Sequence, residues 1–213
     1  MTRAAADGPT GAQLVDTPRG PARIDLVTPL APPASLLVLG HGAGGDVTAA
    51  DLVALRAAAV RAAVAVARVT QPYRVAGRRA PAPAQQLDEA WHAVVVGILA
   101  RFEDPPPLIV GGRSSGARVA CRSAAAVGAA GVIALAFPLH PPGRPQRSRA
   151  DELRTDRPTL VINGDRDPFG VPAAGPQRDV VIRRGERHDL RGDPAGLAEV
   201  AVDWLARHGW ARR

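Results

Sequence analysis

A three-layer α/β fold with a mostly parallel central sheet is the architecture expected of this sequence, and three observations carry the expectation. Short runs such as SLLVLG (35–40), LIVGG (108–112), GVIALAF (131–137) and TLVIN (159–163) are apolar at nearly every position rather than alternating. Such runs suit strands covered on both faces, as parallel strands are. The stretches between them read as helices, and right-handed crossovers would set those helices on both faces of the sheet. The chemically distinctive residues then fall just past the carboxyl ends of strands, where open parallel sheets place their ligands.

Taken in order, residues 1–23 are rich in Ala, Gly, Pro and Thr and are expected as a loosely ordered lead-in, with one domain over residues 24–213. IDLVT (24–28) suits an edge strand, and SLLVLG runs straight into HGAGG. Residues 48–67 suit a helix with a broad buried face, although its end is ambiguous because VAVARVT (64–70) also suits the next strand. Gln71 to Pro83 is a loop carrying Arg78 and Arg79. In 84–101, Leu87, Ala90, Trp91, Val94, Val95 and Ile98 recur at helical spacing until Pro105 to Pro107 end any helix. LIVGG is a strand, 115–127 a helix, GVIALAF a strand, TLVIN a strand and DVVIR (179–183) the last strand. A helix over 194–208 closes the chain around Leu197, Ala201, Trp204 and Leu205.

Bulk properties narrow the function classes. The chain has 213 residues, enough for one domain with a substantial core. Its formal charge is +7, but the arginines are scattered and only 3% of residues are aromatic. A nucleic-acid partner would call for basic groups gathered on one face and interleaved with stacking aromatics, so none is expected. A positive cleft would still concentrate anionic substrates. Cys121 is the sole cysteine, which excludes an intrachain disulfide and a cysteine-based metal site. No run reaches the length of a membrane span, and no apolar stretch of signal-peptide length opens the sequence. The expectation is a cytoplasmic protein with no membrane partner.

The strongest motif is Gly112-Arg113-Ser114-Ser115-Gly116, a G-x-S-x-G between a strand and a helix. That context lifts a serine hydroxyl above the sheet on a strained turn, while the flanking glycines let strand and helix pass closely. Ser114 alone has glycines at both minus two and plus two, which sets it apart from Ser115; its structural alternative is a helix N-cap. A serine needs a base, and the base needs an orienting carboxylate. Of the histidines that follow, His188 lies in a polar turn just past the last strand, His140 precedes any candidate acid, and His208 ends the closing helix. The acid lies in TLVINGDRDPFG, where local physics favours Asp167 over Asp165 only slightly.

LGHGAGG (39–45) supplies the fourth piece. The amide of Ala43 with that of Ser115 would form an oxyanion hole, and His41 is placed to brace the loop or to meet substrate. Arg113 and His140 are the other candidate substrate contacts. The same glycines also spell G-x-G-x-x-G, the dinucleotide fingerprint. Residues 60–67 contain no Asp or Glu to hold a ribose, and that alternative leaves GRSSG unexplained.

Together LGHGAGG, LIVGGRSSGARVA, FPLHPPGRP, TLVINGDRDPFG and GERHDL resemble a family of compact α/β-hydrolases related in fold to the dienelactone hydrolases, over roughly residues 35–195. The resemblance implies a minimal α/β-hydrolase fold without a large cap domain. It matches the nucleophile to Ser114, the acid to Asp167 and the base to His188, and it sets the loop from Phe137 to Pro145 at the mouth of the site. Where many such hydrolases carry Met or Gln and then a Gly pair, this chain has Ser115-Gly116-Ala117; a backbone donor tolerates that change. The implied activity is hydrolysis of a small ester, thioester or lactone, needing neither metal nor organic cofactor. Some relatives within larger proteins resemble scaffolding domains, so a non-catalytic interaction module is the alternative. Acyl preference and oligomeric state have no signal in the sequence.

Overall fold

The computed structural model describes residues 12–212. The sheet is made from short strands, most of them joined by crossovers. These are β1 (Ala12–Val15), β2 (Ala22–Val27), β3 (Ser35–Gly40), β4 (Val64–Thr70), β5 (Leu108–Arg113), β6 (Gly131–Leu135), β7 (Thr159–Gly164) and β8 (Arg178–Arg183). The helices are α1 (Ala50–Arg61), α2 (Pro72–Val75), α3 (Ala84–Leu99), α4 (Ser115–Ser123) and α5 (Pro194–Arg207), with a 3-10 turn at Ala150–Leu153.

The strands form one sheet in the order β1-β2-β4-β3-β5-β6-β7-β8. From β4 to β8 every neighbouring pair is parallel, whereas β2 runs antiparallel to both β1 and β4. All positions of β3, β4, β6 and β7 are buried, which is why their sequences show no alternation. Successive side chains nevertheless serve opposite faces. Leu36 and Val38 join Trp91, Val94 and Phe137 on the side of α3 and α4, while Leu37 and Leu39 join Leu52, Leu55 and Trp204 on the side of α1 and α5. The result is the expected three layers.

Two expectations need correction. Residues 12–15, assigned to the loose lead-in, form strand β1; residues 1–11 of that lead-in lie outside the described residues. A turn over Thr17–Gly20 closes a hairpin, with the Gly20 amide donating to the Thr17 carbonyl at 3.1 Å. The segment around 24–28 is therefore not an edge strand, because β1 covers it. Within the loop after β4, Pro72 opens the short helix α2, its fixed φ suiting a first helical position.

Cys121 lies inside α4 against the core, and burial pushes its thiol up to about 12. Only the thiolate attacks, so the native protein is expected to leave a thiol-reactive disulfide dye untouched at pH 8. One equivalent should react on addition of guanidinium, as followed by absorbance.

Candidate active site

The site is assembled at the carboxyl ends of β5, β7 and β8. Between β5 and α4 the backbone turns sharply at Ser114, with φ 53° and ψ −110°. That left-handed conformation is costly for a residue with a Cβ and is held by its surroundings. The Ser114 amide donates to the Leu135 carbonyl at 2.9 Å. On the other side, Gly112 and Gly116 press against Gly40 at the end of β3. Although Ser114 stands at the N-cap of α4, its side chain makes no capping bond. Its Oγ instead lies 2.9 Å from His188 Nε2.

The opposite ring nitrogen, His188 Nδ1, lies 2.8 Å from Asp167 Oδ2. An ionised carboxylate only accepts, so Nδ1 carries the proton; Nε2 of the neutral ring then offers a lone pair to the Ser114 hydroxyl. The Asp167 side chain is fully buried. Its Oδ1 accepts from the Phe169 amide at 2.8 Å, and Asn163 Nδ2 stands 3.4 Å from Oδ2. Asn163 also exchanges bonds with both backbone groups of Phe137, at 2.9 and 3.0 Å. The Phe169 ring lies 4.2 Å from that of His188, centroid to centroid. Asp165 does something different: its Oδ1 accepts from the Gly185 amide at 2.7 Å, tying the loop after β7 to the turn after β8.

The loop after β3 is held from beneath. His41 Nδ1 donates to the Gly42 carbonyl at 2.8 Å, and Nε2 accepts from the Gln71 amide at 3.1 Å. Burial lowers the His41 pKa, against the pull of the Gly42 carbonyl, which keeps the ring in the neutral form this pattern requires. Tyr73 OH donates to the Ala43 carbonyl at 2.7 Å. Ser115 opens α4, where the first amides of any helix have no intrahelical acceptor.

Ser114, His188 and Asp167 are thus brought together, with Ala43 on the loop after β3 and Ser115 at the first turn of α4. Each of the three candidate substrate contacts has a partner within the protein. Both nitrogens of His41 are used internally. His140 Nδ1 faces the Pro141 carbonyl at 2.9 Å and its ring packs on Gly170. Arg113 Nη2 donates to the His188 carbonyl at 2.8 Å. Its Nε lies 2.9 Å from Asp51 Oδ2, at an angle outside hydrogen-bond geometry, so the contact is an ion pair. Burial raises the Asp51 pKa, with the Arg113 charge pulling it back down.

A cleft of about 370 Å³ opens beside His188, lined by Arg113, Arg166, Pro168, Arg187 and Asp189. Tyr73 and Asn163 were not singled out from the sequence. Asn163 had a signal, a polar residue inside an otherwise apolar strand, whereas Tyr73 had none. Among the described residues, no group of three or more His, Cys, Asp or Glu is placed to hold a metal, and no helix is long and apolar enough to cross a membrane.

Sheet order, layers and the absence of a large cap among the described residues define a compact α/β-hydrolase-fold domain. Residues 33–182 match the family described as the alpha/beta hydrolase domain, and the chain belongs to that family. Among solved structures, it is similar to a lidless α/β serine hydrolase from Xanthomonas campestris, with 21% identity and a TM-score of 0.74 over 96% of this chain and 98% of the other. An α/β serine hydrolase homologue from Coxiella burnetii gives 19% identity and a TM-score of 0.77, covering 94% and 100%. A dienelactone hydrolase from Anabaena variabilis gives 16% and 0.72, covering 97% and 100%. At these identities the likeness shows the fold. No curated protein matches.

Proposed function

We propose that this protein is a serine hydrolase that cleaves a small ester, thioester or lactone through an acyl-enzyme intermediate. The observation that carries the proposal is the hydrogen-bonded chain from Ser114 Oγ through the His188 ring to buried Asp167. In the first half-reaction Ser114 attacks the substrate carbonyl carbon and passes its proton to His188 Nε2. The tetrahedral oxyanion is met by the amides of Ala43 and Ser115, aided by the positive end of α4. His188 then gives that proton to the departing alkoxide or thiolate as the carbon–heteroatom bond breaks. In the second half-reaction water attacks the acyl carbon, His188 takes its proton, and collapse returns the proton to Ser114 with release of the acid. Asp167 stays ionised throughout and fixes the ring tautomer.

No step needs a metal or an organic cofactor. The capless site suits a small molecule rather than a substrate that must be engulfed.

The test is labelling by a fluorophosphonate probe beside turnover of p-nitrophenyl acetate. Wild type is expected to take one adduct, located at Ser114 by peptide mass spectrometry. Asp167→Asn is expected to fold and to lose about 10⁴-fold in kcat, because the amide favours the wrong imidazole tautomer. A folded wild type that neither labels nor turns over would overturn the nucleophile and leave a binding module as the function.

A further inference from the structure

Arg113 makes two polar contacts on two different segments and stands beside a third. Its Nη2 donates to the His188 carbonyl at 2.8 Å, and its Nε faces Asp51 Oδ2 at 2.9 Å. Its Nη1 lies against Gly42, where an added Cβ would come within 3.4 Å of it. The first turn of α1 and the loop after β8 therefore meet on one guanidinium, with the loop after β3 close beside it. Asp51 is wholly buried, with Oδ1 accepting from the Leu52 amide at 2.8 Å and Oδ2 facing Arg113. A carboxylate so placed requires a cation, and the first turn of a helix favours its negative charge.

Buried ion pairs of this kind are not a strong source of stability, since apolar residues of similar volume often serve as well. What the pair does supply is orientation. The guanidinium is rigid and planar, so fixing Nε against Asp51 fixes where Nη2 points. It points at the backbone of the residue whose ring is bonded to Ser114 and Asp167. Arg113 also immediately precedes Ser114, so serine and histidine are located by neighbouring residues.

We propose that Arg113, locked by Asp51, is the positioning residue for His188 and not a substrate anchor. It fixes the imidazole from the backbone side while Asp167 fixes it from the ring side. Its charge, spent on Asp51, is withheld from the substrate. This inference rests on the hydrolase function proposed above.

The test uses four proteins: wild type, Arg113→Lys, Arg113→Met and the double variant Arg113→Met with Asp51→Leu. Each is assayed with p-nitrophenyl acetate and with the mono-p-nitrophenyl ester of succinate, and each is examined by proton NMR for the low-field His188 Nδ1–H. Arg113→Met is expected to lose on the order of 10²-fold in kcat on both esters, with KM changed less than twofold, because a misplacement near 1 Å has that effect. Arg113→Lys should recover only part of the loss, since an ammonium lacks the planar fork.

The double variant separates positioning from structural support. With both charges removed it should regain the wild-type thermal midpoint and still show low kcat and a broadened His188 proton. Recovery of kcat in the double variant would overturn the proposal and leave the pair a structural contact. A KM that rises for the succinate ester alone would make Arg113 a substrate anchor, which also overturns it. A wild type that fails to label overturns the hydrolase function; the His188 proton then decides the positioning claim by itself, a sharp signal in the double variant being the result against it.

Discussion

Alanine at position 114 is expected to lower kcat by about 10⁶-fold, with KM changed only a few-fold. The large figure follows from the way the three groups act as a unit, so that removing the nucleophile leaves only binding and any oxyanion stabilisation. Stability should move little. The Ser114 side chain accepts no capping bond that alanine would lose, and both residues carry a Cβ into the same φ 53°, ψ −110° turn. The loss is confined to the bond with His188 Nε2, worth about 1 kcal/mol. Pre-steady-state kinetics with p-nitrophenyl acetate, together with a thermal melt, read both quantities. Turnover that survives in Ser114→Ala, with an adduct now on Ser115, would move the nucleophile by one residue.

The other large effect is expected from Gly116→Ala. A Cβ there would sit 2.4 Å from the carbonyl carbon and oxygen of Gly40, and 2.9 Å from its Cα. Those atoms are backbone of the central strand β3 and have no rotamer to yield. Strand and helix must separate, so a loss of about 3 kcal/mol or more is expected, at the upper end for overpacking. Urea titration would show it as a lowered midpoint at unchanged slope. Gly97→Ala in α3 is the contrast. Its Cβ would meet only the Val15 side chain, at 3.4 Å, and alanine is the better helix former by about 1 kcal/mol. That variant should be as stable as wild type or more so.

Sequence and structure agree where burial alone decides the outcome. β3 coincides with SLLVLG, and the strands read at 108–112 and 159–163 lie within a residue of those observed, because runs buried on both faces are unmistakable. The half-buried strand read at 179–183 also lies within a residue of β8. The boundary between α1 and β4 was ambiguous for a physical reason. The turn there falls on Ala63, at φ 60°, a left-handed position usually marked by glycine. With alanine in that place, helix and strand read as one apolar stretch. β1 was missed although TPRG carries turn chemistry, Pro second and Gly fourth.

At the site, order along the chain singled out Ser114 and His188 as partners, and the geometry brings them within bonding distance. Asp165 and Asp167 are nearly equivalent locally. They part only in three dimensions, one turned to Gly185 and the other to His188. Arg113 was read as a substrate contact because its neighbour suggested chemistry. Its actual partners, Asp51 and the His188 carbonyl, are distant in sequence and bound by no motif.

His188 follows β8, and β8 is the last strand of the sheet, bonded on one side to β7 with no strand on the other among the described residues. Ile182 within it is 53% exposed, so this edge has the least apolar cover of the parallel strands. Edge elements of this kind open at a lower free energy than the global transition. Heat would therefore extinguish the chemistry by fraying one border of the sheet while the interior, built on β3 and β5, was still intact. If the protein is the hydrolase proposed above, its working temperature limit is expected to be set by its weakest strand and not by its core.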